Sequence, residues 1–281
     1  MRKIFLCAII FLSLPVSIFA VESSIDGEAL FHREKEAEVP IVMYHLVTEK
    51  PKYIGKFGIT PTELRRDFEY LRANSFNTVV MQDLIDFVNF EADLPENPIM
   101  LTFDDGNLSD YEFLFPLLRE FNFKAVVAVI GEAADRISKE SERCPCARQS
   151  NLNWKQICEL HESGLVEIQN HSYNLHKSPV GSGKKQGETC EKYLSRLSED
   201  LSRFQECCAE KIGCKPTTFI YPLGVIGENS RDALEKIGMV GSISCQEGKN
   251  VIRQGDADCL FRLRRTNRPN NRGIKQILDK I

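Results

Sequence analysis

Short runs of β-branched and aromatic residues alternate with longer amphipathic segments along most of this chain. Parallel strands need a crossover connection, usually a helix, so this repeated alternation predicts an α/β fold with a parallel sheet. In 281 residues, a (β/α) barrel of seven to eight strands is more economical than two open sheets. An open doubly wound sheet is the alternative. The candidate strands are Pro40–Tyr44, Phe76–Met81, Ile99–Phe103, Lys124–Ile130, Val166–Gln169, Thr217–Tyr221, Met239–Ser244 and Leu260–Leu263.

Two of the segments between these strands carry recognisable helix boundaries. The sequence Thr60-Pro61-Thr62-Glu63 is a capping box with proline in the first turn. Asn151 or Asn153 could cap a helix over Trp154–Glu162, which Gly164 would end.

The N-terminus has the pattern of an export signal. Met1-Arg2-Lys3 supplies the charged start, residues 4–18 the apolar stretch, and Ala20 a small residue for cleavage. We predict a signal peptide over residues 1–20, a polar linker over 21–38 and a single folded domain over 39–281. The protein is then secreted, extracellular or in the cell envelope. Because Ile18 is a poor cleavage residue, an uncleaved signal anchor stays open as an alternative.

Composition argues against some partners, and the cysteine count bears on disulfide formation after export. A formal net charge of −4 argues against nucleic acid or an anionic membrane as the main partner. No second apolar segment is long enough to span a bilayer. Ten cysteines are present, and nine remain if Cys7 leaves with the signal. An exported protein with nine cysteines is expected to form disulfides and to keep at least one thiol.

Residues suited to chemistry follow several of the predicted strands. In parallel α/β folds the carboxyl ends of the strands meet at one face, where active sites form. We therefore expect one site to contain the residues that follow the strands, namely His45, Asp104, Asp105, His171, His176 and the turn Pro222-Leu223-Gly224.

The adjacent carboxylates Asp104 and Asp105 end a buried apolar run. Two neighbouring negative charges repel each other, so a fold seldom places them there without a cation or a chemical role. The alternative is a solvated turn, since Asp-Gly is a common turn pair.

His171 and His176 lie close together in a chain with only five histidines. On a regular helix, residues five apart point about 140° away from each other, so these rings converge only in a loop or tight turn. Two histidines and one carboxylate form the open three-ligand set of a catalytic metal. The alternative is that one or both are ordinary surface imidazoles.

Three motifs carry a resemblance to a known family. Thr102-Phe103-Asp104-Asp105-Gly106 resembles the first signature of the polysaccharide deacetylases, the NodB-homology family of metal-dependent carbohydrate esterases. The segment from His171 to His176 resembles the second signature, and Phe219-Ile220-Tyr221-Pro222-Leu223-Gly224 is similar to the third. The opening Pro40-Ile41-Val42-Met43-Tyr44-His45 resembles a subgroup that includes deacetylases of β-1,6-linked poly-N-acetylglucosamine.

The resemblance implies a fold of NodB-homology type, a distorted and circularly permuted (β/α) barrel, with the catalytic domain over residues 39–281. It also implies a role for each matching residue. Asp104 would be the general base, His45 the general acid, and the backbone N–H of Leu223 a donor to the oxyanion. The implied metal ligands are Asp105, His171 and His176, which suit Zn²⁺ and would also accept Co²⁺, Ni²⁺ or Fe²⁺.

The implied function is that of a hydrolase acting on non-peptide carbon–nitrogen bonds, a polysaccharide N-deacetylase. Its partner would be an N-acetylated polysaccharide or oligosaccharide containing N-acetylglucosamine, from which it releases acetate. An O-acetyl esterase on a xylan-like polymer and a catalytically inactive carbohydrate-binding barrel are the alternatives.

The sequence departs from the family pattern at one charged position. An arginine often precedes the Tyr-Pro segment in this family, but Lys215-Pro216-Thr217 stands here. Arg264, Arg265 or Arg268 are the candidates to supply that charge against Asp104.

Overall fold

The computed structural model describes residues 34–144, 150–177 and 179–280. Its strands are β1 (Glu36–Glu38), β2 (Ile41–Tyr44), β3 (Leu46–Val47), β4 (Gly58–Ile59), β5 (Asn77–Val79), β6 (Pro98–Phe103), β7 (Ala125–Val129), β8 (Val166–Asn170), β9 (Thr218–Ile220), β10 (Gly241–Ile243), β11 (Val251–Arg253) and β12 (Thr266–Asn267). Its α-helices are α1 (Pro61–Ala73), α2 (Met81–Val88), α3 (Phe115–Phe121), α4 (Gly131–Arg143), α5 (Trp154–Glu162), α6 (Cys190–Ile212), α7 (Ser230–Lys236) and α8 (Ile274–Leu278). Shorter helical turns cover Pro51–Tyr53, Asp110–Leu114, Pro222–Gly224 and Ala257–Leu260.

The main sheet consists of parallel strands, of which β6 to β10 are neighbours in chain order. Its neighbours run β10-β9-β8-β7-β6-β2-β12, and β5 pairs with the first half of β6. The two edges approach each other, because Leu263 bridges to Ile243 of β10 and Thr266 pairs with Val42 of β2. The predicted parallel (β/α) barrel of seven to eight strands is confirmed.

Seven of the candidate strands coincide with strands of the structure, but Leu260–Leu263 is wrong. A helical turn occupies Ala257–Leu260, and Leu263 makes only a single bridge. The strand that completes the sheet is the polar pair Thr266–Asn267. Hydrophobicity does not predict this strand, because the chain between the two sheet edges contains the buried Arg265 directly before the polar strand β12.

Both helix caps predicted from the sequence are confirmed. The Thr60 side chain accepts a hydrogen bond from the Glu63 N–H at 3.1 Å, and the Glu63 carboxylate accepts one from the Thr60 N–H at 2.8 Å. Asn153, rather than Asn151, caps α5 through the N–H of Gln156 at 2.9 Å.

The predicted linker ends earlier than residue 38. Residues 36–38 form β1, which pairs antiparallel with β11. Glu38 lies 2.9 Å from Lys249, and Glu36 lies 3.4 Å from Arg253. The polar composition of this segment predicted a linker. In the structure, Glu36 and Glu38 face cations, and Ala37 between them packs against the core. The predicted signal peptide and residues 21–33 lie outside the described residues.

Within the part of the chain that the structure describes, no helix is long and apolar enough to cross a membrane. Seven cysteines that were expected to take part in disulfides are free thiols in the structure. They are Cys158, Cys190, Cys207, Cys208, Cys214, Cys245 and Cys259.

Alternate residues of the central strands pack on opposite faces of the sheet. Along β6, Ile99 and Leu101 join the layer that faces the helices, whereas Met100 faces the barrel interior. The interior turns polar at the carboxyl end of this strand, where Thr102 and Asp104 are buried. Because the barrel interior is apolar below and polar at the carboxyl ends of the strands, any chemistry is expected at those carboxyl ends.

Candidate active site

One cleft of about 700 Å³ opens at the carboxyl ends of the strands. It contains side chains that follow β2, β6 and β8 and the turn that follows β9. All six residues singled out from the sequence line it: His45, Asp104, Asp105, His171, His176 and Leu223. The structure thus brings together groups that are separated by up to 178 positions in the sequence (45 to 223).

Asp105 and the two histidines form a cluster of ligand atoms. Asp105 Oδ1 lies 3.2 Å from His176 Nε2 and 3.7 Å from His171 Nε2. One ligand atom from each residue lies within 4.8 Å of the other two. Asp105 Oδ1 is buried and accepts no hydrogen bond from any described residue. A carboxylate oxygen left in this way beside two imidazoles is what a bound divalent cation would satisfy.

The turn that presents Asp105 is held by two asparagine side chains. Asn107 Nδ2 donates to the Asp104 carbonyl at 3.0 Å, and Asn151 Nδ2 donates to the Asp105 carbonyl at 3.2 Å. Asp105 has a φ of 76°, in the left-handed region that non-glycine residues seldom adopt. This backbone turns consecutive carboxylates toward different partners, Arg265 for Asp104 and the histidines for Asp105.

The orientation of His171 is fixed by the main chain. Its Nδ1 lies 2.8 Å from the Ile220 carbonyl, so Nδ1 carries the proton and Nε2 turns an unshared pair toward Asp105. Burial lowers the pKa of His171 and outweighs the opposing effect of Asp104. The ring therefore stays neutral, the form that binds metals.

The segment between the histidines is a loop, which is the condition for their convergence. The Asp200 carboxylate on α6 accepts hydrogen bonds from the N–H groups of Tyr173 at 2.7 Å and Asn174 at 2.8 Å. The ring centroids of His171 and His176 lie 5.0 Å apart. Asp200 thus positions both imidazoles through the backbone that joins them.

Asp104 is buried and forms a two-pronged ion pair with Arg265. Its oxygens lie 2.6 Å from Arg265 Nη1 and 2.7 Å from Nη2. Burial alone would raise the pKa of Asp104, but the charge and hydrogen bonds of Arg265 outweigh it and hold the pKa well below its usual value. Asp104 is therefore an anion throughout the neutral range.

Arg265 is fully buried, and each of its donor groups has a partner. Besides Asp104, Nε donates to the Ser244 carbonyl at 2.9 Å and Nη1 to Thr102 Oγ1 at 3.1 Å. Nη2 also donates to Cys245 Sγ at 3.6 Å. Of the three arginines that the sequence left open, Arg265 supplies the charge against Asp104, while Arg268 is paired with Asp67.

His45 lies on the other side of Asp104. Its Nε2 is 3.7 Å from Asp104 Oδ2, and its ring lies 4.7 Å from that of Phe57. Nδ1 is buried without a hydrogen-bond partner among the described residues. Burial lowers the pKa of His45 despite the opposing charge of Asp104, so the ring is neutral near pH 7.

Leu223 occupies the opposite wall, in the turn after β9. Its φ is 58°, and its side chain is half exposed to the cleft. Among the described residues no acceptor takes the Leu223 N–H, whereas the next two amides bond back to Tyr221 and Pro222. Strained backbone of this kind recurs at active sites and ligand clamps.

Sequence reasoning missed several residues of the cleft. Asp200 lies in a helix about 25 positions beyond the histidines and carries no motif. Tyr53 and Phe57 lie in a polar connection with no strong periodicity, and Cys245 is one cysteine among many. Arg265 was detectable only as one of three nearby arginines.

A family model described as polysaccharide deacetylase matches residues 91–242. This range contains the Asp105, His171 and His176 cluster, and both His45 and Arg265 lie outside it.

Curated relatives are named poly-beta-1,6-N-acetyl-D-glucosamine N-deacetylase. That of Escherichia coli K12 is 25% identical over 260 residues, which cover 85% of this chain and 38% of that protein. That of Staphylococcus epidermidis is 21% identical over 220 residues, 77% of this chain and 71% of that protein. The chain thus spans less than two-fifths of the E. coli relative.

Solved structures share the fold. A de-N-acetylase from Aggregatibacter actinomycetemcomitans superposes with a TM-score of 0.73 at 26% identity, covering 87% of this chain and 100% of that one. IcaB from Ammonifex degensii superposes with a TM-score of 0.66 at 25% identity, covering 83% and 92%.

Proposed function

The chain belongs to the polysaccharide deacetylase family, and from that membership we propose that it is a secreted, metal-dependent hydrolase that removes N-acetyl groups from a glycan containing N-acetylglucosamine and releases acetate. The observation that carries the proposal is the cluster of Asp105, His171 and His176 beside the buried pair of Asp104 and Arg265. The names of the relatives favour poly-β-1,6-N-acetylglucosamine as the polymer. The apolar segment 4–18 after a basic start favours export.

The proposed metal ligands are Asp105, His171 and His176. Their donor set suits Zn²⁺ and also accepts Co²⁺, Ni²⁺ or Fe²⁺. A divalent metal held there would act as a Lewis acid on the acetyl carbonyl and lower the pKa of water to about 7. His171 contributes a neutral Nε2 because its Nδ1 proton is bound to the Ile220 carbonyl.

Asp104 is proposed as the general base, since its ion pair keeps it ionised and ready to accept a proton from the attacking water. As the water oxygen bonds to the acetyl carbon, negative charge develops on the carbonyl oxygen. The Leu223 N–H, which has no acceptor among the described residues, is proposed as its donor, a type of contact whose loss costs about 3 kcal/mol of transition-state stabilisation.

His45 is proposed as the general acid. When the carbon–nitrogen bond breaks, the departing nitrogen takes the electron pair and needs a proton to leave as an amine. His45 Nε2 lies 3.7 Å from Asp104 Oδ2, so a proton accepted by Asp104 can be returned through the imidazole. A contribution of roughly 10² to 10⁴ in rate is typical of such a group.

The test is acetate release from β-1,6-linked N-acetylglucosamine oligomers by the protein purified from residue 34 onward. We expect release that stops on chelation and returns with Zn²⁺. Asp105→Ala should lose metal and activity together, whereas Asp104→Asn should keep the metal and lose most turnover.

Each negative result points elsewhere. No release with stoichiometric metal bound would redirect the search to O-acetylated polymers such as xylan. No release and no metal bound would favour a carbohydrate-binding barrel without catalysis.

A further inference from the structure

Large apolar side chains are exposed around the cleft. Over the described ranges, those that are most exposed are Tyr53, Phe57, Phe90, Leu223 and Val240. Three of them, Tyr53, Phe57 and Leu223, line the cleft that holds the metal-ligand cluster. Exposed apolar groups gathered at one place mark a binding surface rather than ordinary scatter.

The two aromatic residues lie on the β3–β4 loop, which is held in place at several points. The Lys56 carbonyl accepts from Asn267 Nδ2 at 2.7 Å, and the Gly55 carbonyl accepts from the Asn270 N–H at 3.0 Å. Gly58 is required, because a Cβ there would lie 2.0 Å from the Tyr53 carbonyl oxygen. The loop is a fixed wall that presents Tyr53 and Phe57 beside His45.

Two further cavities share lining residues with the cleft. One, of about 880 Å³, shares Leu46, Tyr53 and Asn107 with the cleft, and we call it the Glu112 arm. The other, of about 680 Å³, shares Lys56, Glu247 and Asn267 with it, and we call it the Lys280 arm. The two arms have no lining residue in common, so they adjoin the cleft at different walls. Taken together, the cleft and its two arms offer a groove that a chain of sugars could follow. Each part falls in the size range of a small-ligand pocket.

The two arms differ in charge. The Glu112 arm is balanced, with the acidic Glu49 and Glu112 against Lys50 and Lys52. The Lys280 arm is lined by three cations, Lys56, Arg272 and Lys280, and one acidic residue, Glu247. Removing an acetyl group leaves an amine, which is cationic when protonated. An excess of positive charge disfavours that product in the Lys280 arm.

We propose that the groove binds a run of several sugars across the metal site, with Tyr53 and Phe57 as its apolar wall, and that the Lys280 arm selects sugars that still carry their acetyl groups. This inference rests on the proposed function. An internal sugar of the polymer then lies at the cleft, and its neighbours occupy both arms. Deacetylated sugars are tolerated on the Glu112 side, so reaction along a chain has a preferred direction.

Binding is measured without turnover, in the zinc-loaded Asp104→Asn variant and, as a second inert background, in chelated wild-type protein. Calorimetric titrations use β-1,6-linked N-acetylglucosamine oligomers of two to six sugars. We expect Kd to fall roughly tenfold between two and five sugars, equal to about 1.4 kcal/mol. Tyr53→Ala and Phe57→Ala should each weaken binding of the five-sugar oligomer several-fold. Phe90→Ala, an exposed aromatic outside the groove, should leave it unchanged.

The charge of the Lys280 arm is tested with a five-sugar oligomer that carries one free amine. We expect Lys280→Glu to improve its binding relative to the fully acetylated oligomer by about threefold, and high salt to remove the gain. Lys275→Glu, on α8 five positions before Lys280 and outside the groove, should not change this ratio.

The outcomes separate this inference from the proposed reaction. Affinity independent of oligomer length, or unaffected by Tyr53→Ala and Phe57→Ala, overturns the groove. An unchanged ratio in Lys280→Glu overturns the selection. Acetate release by wild-type protein from the same oligomers is scored separately. Its absence beside length-dependent binding rejects the reaction and supports the groove.

Discussion

At the scale of single residues, the unusual group is a fully buried arginine whose charge is cancelled by one carboxylate. Arg265 and Asp104 are both buried and satisfy each other with short hydrogen bonds at the base of the cleft. Removing one partner of such a pair leaves the other charge buried and uncompensated, which costs far more than losing a surface ion pair.

Arg265→Met is expected to lower the free energy of unfolding by about 3 to 5 kcal/mol, because Asp104 would be left buried without its counter-charge. Urea denaturation measures this value. The matched control is Arg264→Met at the neighbouring exposed position, which should change stability by less than about 0.5 kcal/mol. Equal effects for the two variants would contradict the role given to the buried ion pair.

The same pair predicts a pH dependence of stability. The pKa of Asp104 is held below its usual value in the folded state, so its contribution is fully present above about pH 4, the unfolded value. The contribution is lost as pH falls from there toward the folded pKa. Denaturation midpoints recorded from pH 6 down to pH 2 should decline less steeply in Asp104→Asn. Parallel curves for the variant and wild type would show that Asp104 is not responsible.

At the scale of elements, the first part of the connection between β8 and α6, residues 171–176, determines whether the histidines can meet. Asp200 reaches this loop from the adjacent helix and bonds to consecutive backbone amides between them. Groups that orient metal ligands in this way affect metal affinity without touching the metal.

Asp200→Asn is expected to weaken zinc affinity by about ten- to a hundredfold. Each carboxylate oxygen of Asp200 accepts one of the two N–H groups, and the substitution replaces one of these acceptors with an NH₂ donor. Competition with a chromogenic chelator measures the affinity. Glu199→Gln, the preceding residue on the exposed face of the same helix, is the control. An effect on thermal stability with zinc affinity retained would mean that Asp200 serves the helix and not the ligands.

The sequence predicts those elements that local residue preferences determine, and it does not predict those that depend on contacts between distant parts of the chain. Strands with apolar runs and helix starts with capping boxes follow local preferences, so β6 and the first turn of α1 were predicted within a residue or two. The Asp-Asp and His-His motifs located the cluster because the ends of parallel strands converge. The β12 strand and Asp200 follow from contacts across the fold, and no local pattern encodes such contacts.

At the scale of the whole molecule, the barrel joins ligands from separate elements, and metal binding should therefore stabilise the fold. A ligand present at a hundred times its Kd adds about 2.7 kcal/mol to the free energy of unfolding. For a domain of this size that raises Tm by roughly 5 to 10 °C.

We expect zinc to raise Tm by several degrees in wild-type protein and chelation to reverse the shift. Asp105→Ala should show no shift at the same zinc concentration. Scanning calorimetry of apo and zinc-loaded protein gives both values. A full shift in Asp105→Ala would mean that zinc stabilises the protein from another site.

The ion pair between Asp104 and Arg265 joins residues 161 positions apart. While the chain is being synthesised, the carboxylate and the metal ligands emerge long before the arginine that gives Asp104 its charge partner. A chain in which the segment around Arg265 has not yet docked therefore has Asp104 without its counter-charge. Because Arg265 bonds to both Thr102 and Asp104, we expect the cleft to reach its final charge state only late in folding, when that segment packs against β6.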